Sequence, residues 1–213
     1  MAITKGKIDE AFEYVAPALN PPIDLMIDAE TLGTRPHSVI LNFAVVQVDF
    51  AAGKLGQFIR VSPIDINSCQ RVGMKIDGNT VDWWLNRPKA TQFLLDRSKD
   101  GIVNPRQIPI KEAARVTGDW ITSNFPPRGV RLWGNSARFD LGLMANMFLS
   151  CGFSLPWHFR DEMCYRTISS TFPQTPAVWD PALVGHDCYN DAVHQARHLL
   201  KINEAHSLNL HKR

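Results

Sequence analysis

The chain has 213 residues and a mass of 24.0 kDa; 45% of it is hydrophobic and 21% charged, with a formal net charge of +2. A chain of this length buries roughly 70% of its unfolded surface, and the composition excludes a mainly disordered, collagen-like or coiled-coil protein. The near balance of 23 basic and 21 acidic residues also excludes a long basic groove of the kind that dedicated nucleic-acid binders carry.

Residues 1–22 read as a lead-in closed by Asn20-Pro21-Pro22, residues 23–202 as one domain and residues 203–213 as a tail. Ile23 to Asp28 and Ser38 to Phe50 are apolar runs rich in Val, Ile and Phe, and Leu55 to Val61 alternates after an Ala-Ala-Gly-Lys turn. Short links between these three strands predict an antiparallel meander. Asn79-Thr80 opens a helix through Trp83-Trp84-Leu85 that runs on past Pro88 to Leu95, and Ile110 to Phe125 has helical apolar spacing stopped by Pro126-Pro127. Gly129 to Trp133 is a short strand and Phe139 to Leu149 an apolar helix. A further strand falls within Pro156 to Arg166, and Asp191 to Ile202 forms the last helix. This order predicts an α/β protein with a mixed sheet flanked by helices.

The N-terminal sequence has no apolar stretch suited to a signal peptide. No run approaches the ~18 apolar residues of a membrane span, so a soluble cytoplasmic protein without a membrane partner is expected. Cys69, Cys151, Cys164 and Cys188 form no Cys-x-x-Cys pair and are expected as free thiols.

Three segments carry chemistry. Asp28-Ala-Glu30 ends the first strand, and carboxylates at i and i+2 share one face with Cα atoms ~7 Å apart, which suits two metal ions ~3.5–4 Å apart. Taken singly, the pair serves equally as a turn or a helix cap. Trp133-Gly-Asn135-Ser-Ala-Arg-Phe139-Asp140 is a strand end followed by a helix start, and its polar residues are also good capping types. His186-x4-Asp191 places a histidine, whose unperturbed pKa of ~6.5 suits proton transfer, just before the last helix.

Together, in this order, the segments resemble the three exonuclease motifs of the DEDDh (DnaQ-like, RNase T) superfamily. The resemblance runs from about Ile23 to about Ile202 and is nearest to the phage exonuclease and bacterial 3′–5′ exoribonuclease branch, through Asp28-Ala-Glu30-Thr31-Leu32-Gly33, Trp83-Trp84-Leu85, Trp133-Gly134-Asn135 and Ala196-Arg197-His198-Leu199. His186 fits the histidine subclass, since the residue four before Asp191 is Asp187 and not the tyrosine of the other subclass. One departure is Asn42, where many relatives carry Glu.

The resemblance implies an RNase H-like fold and a metal-dependent 3′–5′ exonuclease that releases nucleoside 5′-monophosphates from single-stranded DNA or RNA, with DNA favoured. It assigns Asp28, Glu30, Asp140 and Asp191 as ligands of two Mg²⁺ or Mn²⁺ ions, Asp28 bridging them, and His186 as the base that takes a proton from the attacking water. It assigns Thr31 and Leu32 to the substrate, and it implies a homodimer and, for a phage protein, the host cytoplasm; Phe139 is a candidate for stacking on a base and equally for core packing at a helix start, and Asn135 is a further candidate substrate contact. Arg138, Arg160 and Arg166 are candidate phosphate contacts and Trp179 a candidate gate residue. Two alternatives stand beside this: a catalytically silent nucleic-acid-binding domain on the same fold, and an unrelated α/β domain whose acids are caps and ion-pair partners.

Overall fold

The computed structural model describes residues 22–87, 107–125, 129–181 and 183–210. Five strands form one mixed sheet: β1 (Ile23–Thr31), β2 (Ile40–Asp49), β3 (Lys54–Val61), β4 (Val130–Gly134) and β5 (Glu162–Cys164), ordered β3-β2-β1-β4-β5. The β1–β2 and β2–β3 pairs are antiparallel, and the β1–β4 and β4–β5 pairs are parallel. The expected fold, a three-stranded meander continued by parallel strands and flanked by helices, is the one observed.

Six α-helices are described: α1 (Ile66–Arg71), α2 (Gly78–Leu85), α3 (Ile110–Asn124), α4 (Gly142–Ser150), α5 (Tyr165–Thr171) and α6 (Cys188–His206). Neither α1 nor α5 was predicted, because each spans about two turns or less and too few residues repeat for an apolar period to show. The helix predicted from Phe139 is divided into a π-helical turn over Ala137–Leu141 and α4. The last helix begins at Cys188 rather than Asp191, since the Asp187 carboxylate caps it by accepting from the Asn190 N–H at 2.9 Å. It runs past the predicted Ile202 to His206 and stops at Ser207, whose φ is 48°. The lead-in over 1–21, the helix continuation from Pro88 to Leu95, Pro126-Pro127 and the last tail residues 211–213 lie outside the described residues.

Alternation along β1 supplies two cores. Leu25, Ile27 and Ala29 face one side, where they pack with Phe43, Val45 and residues of α3 and α4 such as Ile121 and Phe148. Met26 faces the other side with Val46, Val48 and Trp133, against Ala192, Val193, Ala196 and Leu199 of α6. Period-2 strands and a period-3.6 helix thus meet with their apolar faces together. All four cysteines are free, with Cys69, Cys151 and Cys188 buried.

The α6 side of β1 also carries Asp24, Asp28 and Glu30, at alternate positions of the strand. Asp24, only 1% exposed, is neutralised locally: Arg131 on the adjacent parallel strand donates to both of its oxygens at 2.8 Å, and the Trp133 indole donates at 2.6 Å. Arg131 also donates to the Leu210 carbonyl, which ties the chain after α6 to the sheet. Replacing Arg131 by Leu is expected to leave Asp24 buried without its cation and to lower stability by about 3–5 kcal/mol in urea titration. A loss under about 1 kcal/mol would show that the pair does not hold this end of the sheet.

Candidate active site

At the other end of the same strand face, β1 delivers Asp28 and Glu30. The register of β1 against β2 shifts between Glu30 and Thr31, with Asn42 opposite Glu30, so the regular ladder ends where the acids sit. Asp191 lies in the first turn of α6. Glu30, His186 and Asp191 offer ligand atoms that all lie within 4.8 Å of one another. Asp140 reaches the same cluster from the π-helical turn. One of its oxygens accepts from the Ser136 N–H at 2.9 Å, and the backbone N–H groups of Asn135 and Asp140 itself also stabilise the charged form. A glycine is required below it: a Cβ on Gly134 would stand 2.8 Å from the Asp140 Cβ.

His186 stands in the left-handed region, with φ 60°, and its backbone N–H donates to Asp191 Oδ2 at 2.9 Å. Its ring meets Trp83 and Trp84 of α2 edge-on, at centroid distances of 5.0 and 6.2 Å. Trp84 in turn donates its indole N–H to the Thr31 carbonyl at 2.9 Å, and the Arg87 guanidinium lies 3.9 Å over the Trp83 ring. Asp187, next to His186 and 1% exposed, forms a 2.6 Å ion pair with Arg60 of β3. The histidine is therefore braced from α2 directly, and through Trp84 and Asp187 from the first strand and the edge strand.

Among the described residues, no lysine or arginine forms an ion pair with Asp28, Glu30, Asp140 or Asp191. Burial, followed by repulsion from its acidic neighbours, raises the Glu30 carboxyl to about 8. Burial raises Asp140 and Asp191 to about 6 each. Asp28 is pushed well above the carboxylate range by burial and by the charges of Glu30, Asp140 and Asp191. Burial and the nearby Arg87 hold His186 below its usual value, which favours the neutral imidazole. Two buried amide oxygens at this end of the sheet, Asn42 Oδ1 and Gln195 Oε1, have no hydrogen-bond partner. Uncompensated carboxylates beside open oxygen acceptors are the donor set of a hard divalent cation.

The five residues of the sequence motifs thus come together. The others are placed as follows. The Thr31 hydroxyl donates to the Gly33 carbonyl at 2.6 Å, and Leu32 packs half-buried against the first core. Phe139 is half-buried beside Asp140, and the backbone of Asn135 faces the Asp140 carboxylate. The Trp179 ring lies against His194 of α6, tilted by 51° at a centroid distance of 4.5 Å, and donates to the Leu183 carbonyl, so it anchors the loop leading to His186. The charge of Arg166 reaches Asp140, Arg160 lies over Phe159, and Arg138 is exposed. Sequence reasoning missed Gln195, which donates to Asp28 at 2.8 Å, and the Arg60–Asp187 pair. Gln195 had a signal, one helical turn after Asp191; Arg60 had none.

The profile of the Rv2179c-like family, a 3′–5′ exoribonuclease domain, matches residues 23–203. The chain belongs to this family. Its fold is shared with Escherichia coli exonuclease I in a zinc-bound complex with single-stranded DNA, at 14% identity and a TM-score of 0.55, over 89% of this chain and 42% of that one. It is also shared with exonuclease I of Methylocaldum szegediense, at 12% identity and a TM-score of 0.54, over 89% and 42% of the two chains. A full-length 3′-exonuclease matches at 13% identity and a TM-score of 0.53, over 87% of this chain and 83% of its own. The family member described here thus spans about two fifths of the length of those exonuclease I chains. No curated protein matches the sequence. Family and fold bear out membership of the DnaQ-like 3′–5′ exonuclease superfamily. Among the described residues, no helix is long and apolar enough to cross a membrane.

Two measurements follow for this family's site as built here. Because Glu30, Asp140 and Asp191 have raised pKa values, the folded chain holds protons that the unfolded chain has released. Their contribution is therefore least unfavourable below about 3.8 and grows more destabilising as pH rises to about 8. In EDTA the melting temperature is expected to fall over that window, and Mn²⁺ is expected to raise it most near pH ~8; a Mn²⁺ effect independent of pH would contradict the electrostatic account. Separately, Gly134→Ala is expected to displace Asp140 and cost about 1–3 kcal/mol in urea titration, with a weakened Mn²⁺ response.

Proposed function

We propose that the chain is a metal-dependent 3′–5′ exonuclease that hydrolyses single-stranded nucleic acid from the 3′ end to nucleoside 5′-monophosphates. The observation that carries this reading is the convergence of Asp28, Glu30, Asp140 and Asp191, none of them in an ion pair with a lysine or arginine among the described residues, beside His186. Mg²⁺ or Mn²⁺ suits these oxygen donors, and two such ions held by the four acids would supply Lewis-acid stabilisation of the phosphate and of the attacking and leaving oxygens.

The protein's own groups supply the rest. His186 takes the proton of the attacking water on a ring nitrogen, which its lowered pKa leaves neutral at working pH. Trp83 and Trp84 restrict the ring, and the His186 N–H on Asp191 couples the base to a ligand carboxylate. Asp140, held by backbone N–H groups, keeps its orientation as the charge of the site changes. Half-buried Phe139, next to Asp140 in the chain, suits stacking on a terminal base, which contributes roughly 1–3 kcal/mol per base, and half-buried Leu32, two residues after Glu30, suits an apolar wedge. Thr31 and Asn135 shape that edge, one through its bond to Gly33 and the other through its backbone at Asp140.

DNA is the substrate favoured by the likeness to phage exonucleases. RNA is the second reading, favoured by the description of the family whose profile matches residues 23–203. Matched single-stranded DNA and RNA oligomers separate the two. Stepwise shortening from the 3′ end is expected with Mg²⁺ or Mn²⁺ and not with EDTA. His186→Ala is expected to lower kcat by on the order of 10²–10⁴-fold while the protein stays folded. Asp191→Ala is expected to lose most activity as well, and hydrolysis near the wild-type rate in both variants would overturn the assignment.

A further inference from the structure

We propose that Gln195 is a positioning residue of the acid cluster: a neutral amide that holds Asp28 in the orientation that receives a cation, without competing for that cation. The inference rests on the function proposed above. Gln195 stands one turn beyond Asp191 on α6, is 5% exposed, and donates its Nε2 to Asp28 Oδ1 at 2.8 Å. Its Oε1 is buried with no hydrogen-bond partner.

A glutamine with an open buried oxygen is a poor choice for packing alone, since an unsatisfied buried acceptor costs about 1–3 kcal/mol. Its use follows from what Asp28 needs. The same face of β1 shows the alternative at Asp24, where Arg131 neutralises the carboxylate through both oxygens. A cation of that kind on Asp28 would occupy both oxygens and cancel the charge that attracts a metal ion. An amide N–H takes up a single oxygen, leaves the formal charge intact, and fixes the side-chain rotamer. Because α6 carries both Asp191 and Gln195, this bond sets the β1 acid and the α6 acid in one frame. The open Oε1 remains an acceptor for a water molecule in the cluster.

The test is Mn²⁺ binding by calorimetry together with oligomer hydrolysis, on wild type, Gln195→Leu and Gln195→Asn. Leucine removes the donor at nearly constant volume. Asparagine keeps the amide but withdraws it from Asp28, and it carries the test if the leucine variant fails to fold. For a folded variant, Mn²⁺ affinity is expected to fall by about 10–100-fold, with kcat falling at saturating Mn²⁺ and oligomer KM little changed. Wild-type Mn²⁺ affinity and kcat in a folded variant would overturn the role of Gln195 while leaving the proposed function standing. A wild-type protein that binds no Mn²⁺ would instead overturn the proposed function.

Discussion

Four carboxylates converge at one end of the sheet, partly or wholly withdrawn from water, with the charges of the others bearing on Asp28 and Glu30, and the structure at that end is organised around this unfavourable fact. The strain shows in the carboxyls themselves: Glu30 rises to about 8, and Asp140 and Asp191 to about 6. Proteins tolerate buried carboxylates when a partner charge or donor meets them. Here the direct hydrogen-bond partners are neutral, and Arg166 acts on Asp140 only at a distance. Backbone N–H groups hold Asp140, the His186 N–H holds Asp191, and an amide holds Asp28. Asp24, on the same strand face, receives a bidentate arginine instead. The contrast separates a structural acid, whose charge is cancelled within the fold, from acids whose charge is left available.

Keeping such a cluster together requires a frame that does not consume its charge. The frame is anchored outside the cluster, at points that converge on the turn before α6. Asp187 caps the helix and pairs with Arg60 on the edge strand, so the helix N-terminus is fixed to β3. Trp84 binds the end of β1 through the Thr31 carbonyl while its ring and that of Trp83 flank His186. Farther along, Tyr165 and the Thr175 carbonyl bond the two nitrogens of buried His198 on α6, which secures the long loop after α5. A left-handed residue such as His186 persists only where its surroundings determine it this fully.

Much of this was legible in the amino-acid order. The meander, the strand at 130–134 and the long helices follow from periodicity and capping residues, whereas the grouping of Asp28, Glu30, Asp140, His186 and Asp191 was legible only through the resemblance of the three acidic segments, taken together, to the exonuclease motifs. What escaped notice was short or distant. Helices α1 and α5 are too brief to show a period, and the π-helical turn under Asp140 resembles an ordinary helix start in sequence. Trp83 and Trp84 stand in sequence only as part of a helix and of the family resemblance, with nothing to show that their rings abut the histidine.

The sequence by itself determined which groups carry charge and which strand or helix carries each of them, because alternation and helical pitch are local properties of the chain. Only the tertiary structure decided which charges are cancelled and which are left open. Asp24 and Asp28 lie four residues apart on one strand face and look alike in sequence. One meets Arg131 and the other Gln195, and those partners come from β4 and α6, more than a hundred residues along the chain. The character of a buried carboxylate is set by what the fold brings against it, and that distance in sequence is bridged only when the sheet closes and α6 packs across it.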